Sequence, residues 1–168
     1  MKHQKLYHLV LAALFAALTY VATNIIHVPI PATDGYINLG DCVVLLGAFL
    51  LGPVYGAAAG GVGSALADIL SGYAVFAPGT FVIKALIAVI AAAILKALGS
   101  KTKAAPIVAS IAGEAWMLLG YFLYESIFLR YGLAAAGSIG GNAIQAVAGV
   151  VLASALYAVL SKVPQIKK

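Results

Sequence analysis

Long apolar runs, separated by short breaks in which polar and charged residues collect, make up almost the whole of this chain. Runs at 6–28, 53–71, 78–98, 106–129 and 138–160 approach or reach the roughly 20 residues that a helix needs to cross the hydrocarbon core of a bilayer. A shorter run at 42–51 is bounded by Asp41, which suits an N-cap, and by the Gly52-Pro53 pair. About ten helical residues extend only about 15 Å, so this helix is tilted or is lengthened by the segment before it. Pro29 and Pro31 close the first run, and 29–40, with Asp34, Gly35 and Asn38, reads as an extracellular loop. The pattern predicts an all-α membrane protein, a compact bundle of six transmembrane helices forming one domain over 1–168. No linker, low-complexity stretch or internal repeat interrupts it.

Charge adds an orientation. Lys2 and Lys5 precede the first run, Lys96, Lys101 and Lys103 sit in the middle break, and Lys162, Lys167 and Lys168 close the chain. By the positive-inside tendency both termini and the central loop are cytoplasmic, giving an N-in/C-in topology. A sequence that is 64% hydrophobic and 9% charged has too little polar surface for a water-exposed globule. The net charge of +5 is then juxtamembrane and does not indicate nucleic acid. The single Cys42 excludes an internal disulfide, and no multi-ligand metal pattern is present. The first run is long enough to span, so it reads as a helix of the bundle and not as a cleaved leader.

Small residues recur at helical spacing in two places. Gly52, Gly56, Gly60, Ser64, Asp68 and Gly72 fall every four residues, a face that lets another backbone approach closely. The stripes Ala12/Ala16 and Ala13/Ala17 on the first helix suit either packing inside the bundle or docking on a partner helix.

Ionisable residues at membrane depth are costly unless paired or wetted, which makes Asp68, Lys84, Glu114 and Glu125 site candidates. Asp68 and Lys84 lie near the outer ends of consecutive helices; they form a structural ion pair, or Lys84 donates to a ligand while Asp68 holds it. Tyr121, Glu125, Asn142 and Gln145 fall at similar outer depths on the last two helices, where they serve either an outward-facing pocket or interhelical hydrogen bonds. Glu114 lies deeper and reads as structural, as does Trp116. Gly99-Ser100-Lys101-Thr102 lacks the earlier glycine and the strand of a phosphate-binding loop. Without a nucleophile–base pair either, the chain reads as a binding or transport protein and not an enzyme.

The segments Gly35-Tyr36-Ile37-Asn38-Leu39-Gly40-Asp41, Leu51-Gly52-Pro53, Gly63 to Tyr73 and Ala77 to Lys84 carry a resemblance to the substrate-binding S components of energy-coupling factor (ECF) transporters, in the riboflavin-type branch. The resemblance implies a vitamin-binding subunit in a bacterial or archaeal plasma membrane. It implies partners: a transmembrane T subunit, docked on Ala12, Ala13, Ala16 and Ala17, and two cytoplasmic ATPase subunits that hydrolyse the ATP. It also implies a pocket lined by Asn38, Tyr73, Lys84, Tyr121, Glu125, Asn142 and Gln145, capture of substrate from outside, and release after the subunit topples in the membrane. No cofactor is implied. The scarcity of Trp favours pyridoxine or a hydroxymethylpyrimidine over riboflavin. A self-sufficient secondary transporter, with Asp68 and Lys84 as a proton relay, is the competing class; a structural assembly subunit would leave the polar outer cluster without a purpose.

Overall fold

The computed structural model describes residues 2–30, 33–99, 102 and 104–163. Pro31, Ser100, Lys101, Lys103, Lys167 and Lys168, which enter the pattern above, lie outside the described residues, as does the side chain of Lys2. The chain runs α1 (Lys2–Ile25), β1 (Val28–Ile30), β2 (Gly35–Ile37), α2 (Gly40–Leu70), α3 (Ala77–Leu98), α4 (Ala105–Leu123) and α5 (Ile139–Leu160). A π-helical turn, Tyr124–Phe128, prolongs α4, and a 3-10 segment, Gly132–Ser138, leads into α5. Among the described residues five helices are long and apolar enough to cross a membrane.

Two features depart from the sequence pattern, and one follows it. The first helix stops at Ile25, and the expected outer loop contains an antiparallel strand pair with Pro29 opposite Tyr36. A two-stranded ribbon leaves Pro29 on an edge, where its missing N–H breaks no ladder. The break expected between the helices at 42–51 and 53–71 is present at Gly52, whose φ of 78° and ψ of −177° interrupt the helical path of α2. A Cβ at Gly56 would lie 2.8 Å from the Ala48 Cα, and one at Gly60 would lie 2.9 Å from a Val44 methyl. Residues on either side of Gly52 therefore face each other in reverse order, and the two limbs of α2 fold back as a hairpin with almost no gap. Finally, Asp41 is not the cap: Leu39 holds that position and Asp41 sits in the first turn.

The glycine stripe is used internally. Gly56 and Gly60 meet the first limb of α2, Gly61 meets Phe81 of α3, and Gly63 meets Ala16 and Thr19 of α1. Gly113 and Gly120 give α4 the same close approach to Ile87 and Ile83 of α3. In lipid there is no hydrophobic drive between helices, so such contacts hold the bundle by van der Waals packing. The hydrophobic core includes Leu45, Ile87, Ala91, Ala109 and Met117, all fully buried between α2, α3 and α4.

Candidate functional site

The polar groups gather at the end of the bundle that carries the strand pair. Asp41, in the first turn of α2, is 1% exposed and accepts from two sides. Its Oδ1 pairs with the Lys84 ammonium of α3, and its Oδ2 accepts from Gln145 Nε2 of α5 at 2.6 Å. Gln145 Oε1 in turn accepts the Asn38 backbone N–H at 2.7 Å, and Asn38 Oδ1 accepts the Gly40 N–H at 2.8 Å. A helix N-terminus favours a negative charge, and here the carboxylate also has a cation and an amide. The network ties the segment after β2 to α3 and α5. The expected Asp68–Lys84 ion pair is not formed: Asp68 accepts a hydrogen bond from the Tyr36 hydroxyl. Lys84 is buried below, with Nζ 5.4 Å from the centre of the Tyr121 ring.

Above this network lies a narrow cavity of about 20 Å³, room for about one water. Of the residues expected at a pocket, Asn38, Tyr121, Glu125, Asn142 and Gln145 line it; Lys84 and Tyr73 do not. Lys84 is held off by Asp41, and Tyr73 packs at the rim, its ring 4.7 Å from Tyr36 and 5.0 Å from His27. The lining also includes Ile30, Gly35, Tyr36, Asp68, Phe76 and Thr80, which the sequence pattern did not single out as ligand contacts. Asp68 was legible as an intramembrane acid, and Gly35, Tyr36 and Thr80 lie within the motif segments; Phe76 gave no periodic signal, because it enters at the cap of α3.

The cavity walls are held by partners of their own. Thr80 and Tyr121 share a hydroxyl hydrogen bond at 3.1 Å, and Glu125 Oε2 accepts from Ser138 at 2.6 Å. The π-helical turn at Tyr124–Phe128 displaces the helix register by a residue where Glu125 enters the site, a common arrangement at functional positions. Tyr36 closes the cavity from above, stacked on His27 with ring centres 3.7 Å apart. Burial and the Asp68 carboxylate both push the Tyr36 phenol well above its ordinary range, so it remains a donor. Burial lowers the His27 pKa, against a smaller opposing pull from Asp68.

Two other sequence candidates lie outside the cavity lining, Glu114 beside Asp41 where both face Gly149. Glu114 is 2% exposed and neither carboxyl oxygen has a hydrogen-bond partner among the described residues. It lines a larger groove between α4 and α5, about 390 Å³, whose other walls are Ile, Ala, Leu and Val side chains. The alanine stripes of α1 divide: Ala13 and Ala17 are exposed, whereas Ala12 is buried and Ala16 packs its carbonyl against Gly63. Ala12 and the half-buried Ala16 lie on the side of α1 turned towards the bundle, where Ala16 meets the second limb of α2.

Known proteins resemble this chain along nearly its full length. A protein of Pyrococcus woesei described as an uncharacterized protein in a gap 3' region is 37% identical over 142 residues, spanning 84% of this chain and 93% of that protein. The solved structure of the S component of a bacterial ECF transporter superposes with a TM-score of 0.74 at 24% identity, covering 96% of this chain and 97% of that one. The profile of the family "ECF-type riboflavin transporter, S component" matches residues 3–162, and the chain belongs to that family of membrane transport subunits.

Proposed function

We propose that this chain captures a small vitamin or vitamin precursor from outside the cell and delivers it inward as the substrate-specific subunit of an ECF importer. The observation that carries the reading is the polar cavity at one end of an otherwise apolar bundle, walled by Tyr36, Phe76 and Tyr121 and furnished with carboxyl and amide groups. In this reading α1, the two limbs of α2, α3, α4 and α5 cross the plasma membrane of a bacterium or archaeon as six segments, with both termini inside. A transmembrane T subunit and two ATPases supply the energy, and the exposed Ala13/Ala17 face of α1 is the docking surface. The ligand enters when the strand pair lifts, since a cavity of about 20 Å³ admits no ring while Tyr36 is seated. Asn38, Tyr121, Glu125, Asn142 and Gln145 contact it; Lys84 acts through Asp41, and Tyr73 through Tyr36.

Pyridoxine or a hydroxymethylpyrimidine demands less opening than a flavin. Riboflavin stands as the second reading on the family's description. Mass spectrometry of small molecules released from the purified protein tests the choice. Reconstituted alone in liposomes, the chain should bind ligand without concentrating it, and accumulation by the pure protein without ATP would remove the importer reading in favour of a secondary transporter.

A further inference from the structure

Resting on the vitamin-binding reading, we infer that the ligand is a flat heteroaromatic molecule bearing an amino group or positive charge, and not an anion. The inference comes from the balance of donors and acceptors around the cavity. Two carboxyl groups line it, Asp68 and Glu125. Asp68 is 2% exposed, and its Oδ2 is buried without a hydrogen-bond partner among the described residues. Glu125 uses Oε2 on Ser138, while Oε1 lies toward Gly35, 3.7 Å from where a Cβ on that residue would sit. A buried carboxyl oxygen left unmatched costs about 1–3 kcal/mol or more, and an N–H donor or cation removes that cost.

Nothing opposite in sign lines the cavity among the described residues. Lys84 is committed to Asp41 beneath the floor, Arg130 is exposed beyond the end of α4, and His27 lies outside the lining, stacked on Tyr36. Gln145 donates one Nε2 proton to Asp41 and accepts the Asn38 N–H at Oε1, which leaves one neutral amide N–H and no positive charge to offer an anion. Asn142 and the Thr80–Tyr121 hydroxyl pair are the polar groups left to serve a ligand hydroxyl or ring nitrogen. The Tyr36 hydroxyl already sits on Asp68 Oδ1, which marks that carboxyl as an acceptor that a ligand donor can take over when Tyr36 moves. A carboxylate-bearing or phosphorylated ligand would meet two acids and no base.

Calorimetry on the detergent-solubilised full chain tests this with four probes: amino-substituted hydroxymethylpyrimidine, pyridoxine, riboflavin and nicotinate. The aminopyrimidine should bind most tightly and nicotinate should not bind. Asp68→Asn and Glu125→Gln should each weaken the aminopyrimidine about tenfold or more, the scale of one charge-assisted hydrogen bond. Circular dichroism establishes that each variant is folded, and if one is not, the other carries the test. The inference is overturned if nicotinate or riboflavin binds more tightly than the aminopyrimidine, if no probe binds, or if the folded variants keep full aminopyrimidine affinity. Co-purification with a T subunit and its ATPases is scored separately. Riboflavin binding with co-purification would remove the ligand class and leave the importer reading, whereas aminopyrimidine binding without co-purification would do the reverse.

Discussion

Lys84 and Asp41, 43 residues apart in the chain, meet as a buried ion pair between α3 and the first turn of α2, while Asp68 accepts from Tyr36. Both members of the pair are almost fully enclosed, with side chains 2% and 1% exposed. Breaking such a pair from one side leaves an uncompensated charge, which costs about 3–5 kcal/mol, whereas replacing both members is often nearly neutral. Lys84→Met should therefore lower the melting temperature sharply. Lys84→Met combined with Asp41→Asn should recover most of the loss in thermal unfolding of the purified protein.

Gln145→Leu should loosen the segment between β2 and α2. The substitution removes the acceptor of the Asn38 N–H and the second donor to Asp41. Each buried group left unmatched costs about 1–3 kcal/mol. Faster hydrogen exchange at 38–41, with α3 protection retained, is the expected signature.

The two faces of α1 should separate stability from transport. Leucine at Ala12 or Ala16 presses into the bundle, where overpacking costs about 1–3 kcal/mol, and should lower the melting temperature. Leucine at Ala13 and Ala17, which are exposed, should leave folding and ligand binding intact but abolish uptake by the reconstituted complex. Full uptake by the Ala13→Leu, Ala17→Leu protein would place the docking face elsewhere.

Closure of the strand pair should weaken in acid. His27 stacks on Tyr36 with its pKa held below the ordinary 6.5, chiefly by burial. A depressed folded pKa means that this contribution is present above the unfolded value and is lost as pH falls through the folded one. Between about pH 7.5 and about pH 5, exchange at 28–37, corrected for intrinsic rates, should accelerate. His27→Phe keeps the stacked ring and should flatten this dependence.

Hydropathy alone determined the membrane class, the helical bundle and the approximate span of every helix, because the bilayer imposes one requirement on each spanning segment: enough apolar length with all backbone groups paired internally. The intramembrane acids were legible for the same reason, as exceptions to that rule. Their partners were not. A helical period says which residues share a face of one helix but nothing of what lies across from it, and Asp41, read as a cap, is turned inward to Lys84 and Gln145 only because the hairpin at Gly52 and the approach of α5 bring three helices to one point. Likewise the two alanine stripes are equivalent as sequence, and the rotation of α1 against Gly63 decides which is buried. The strand pair, too short to show a period, covers the cavity because Tyr36 finds Asp68 and His27 in space. Local pattern reports the solvent each segment requires, whereas pairing between distant polar groups depends on helix rotation and depth, which packing alone sets.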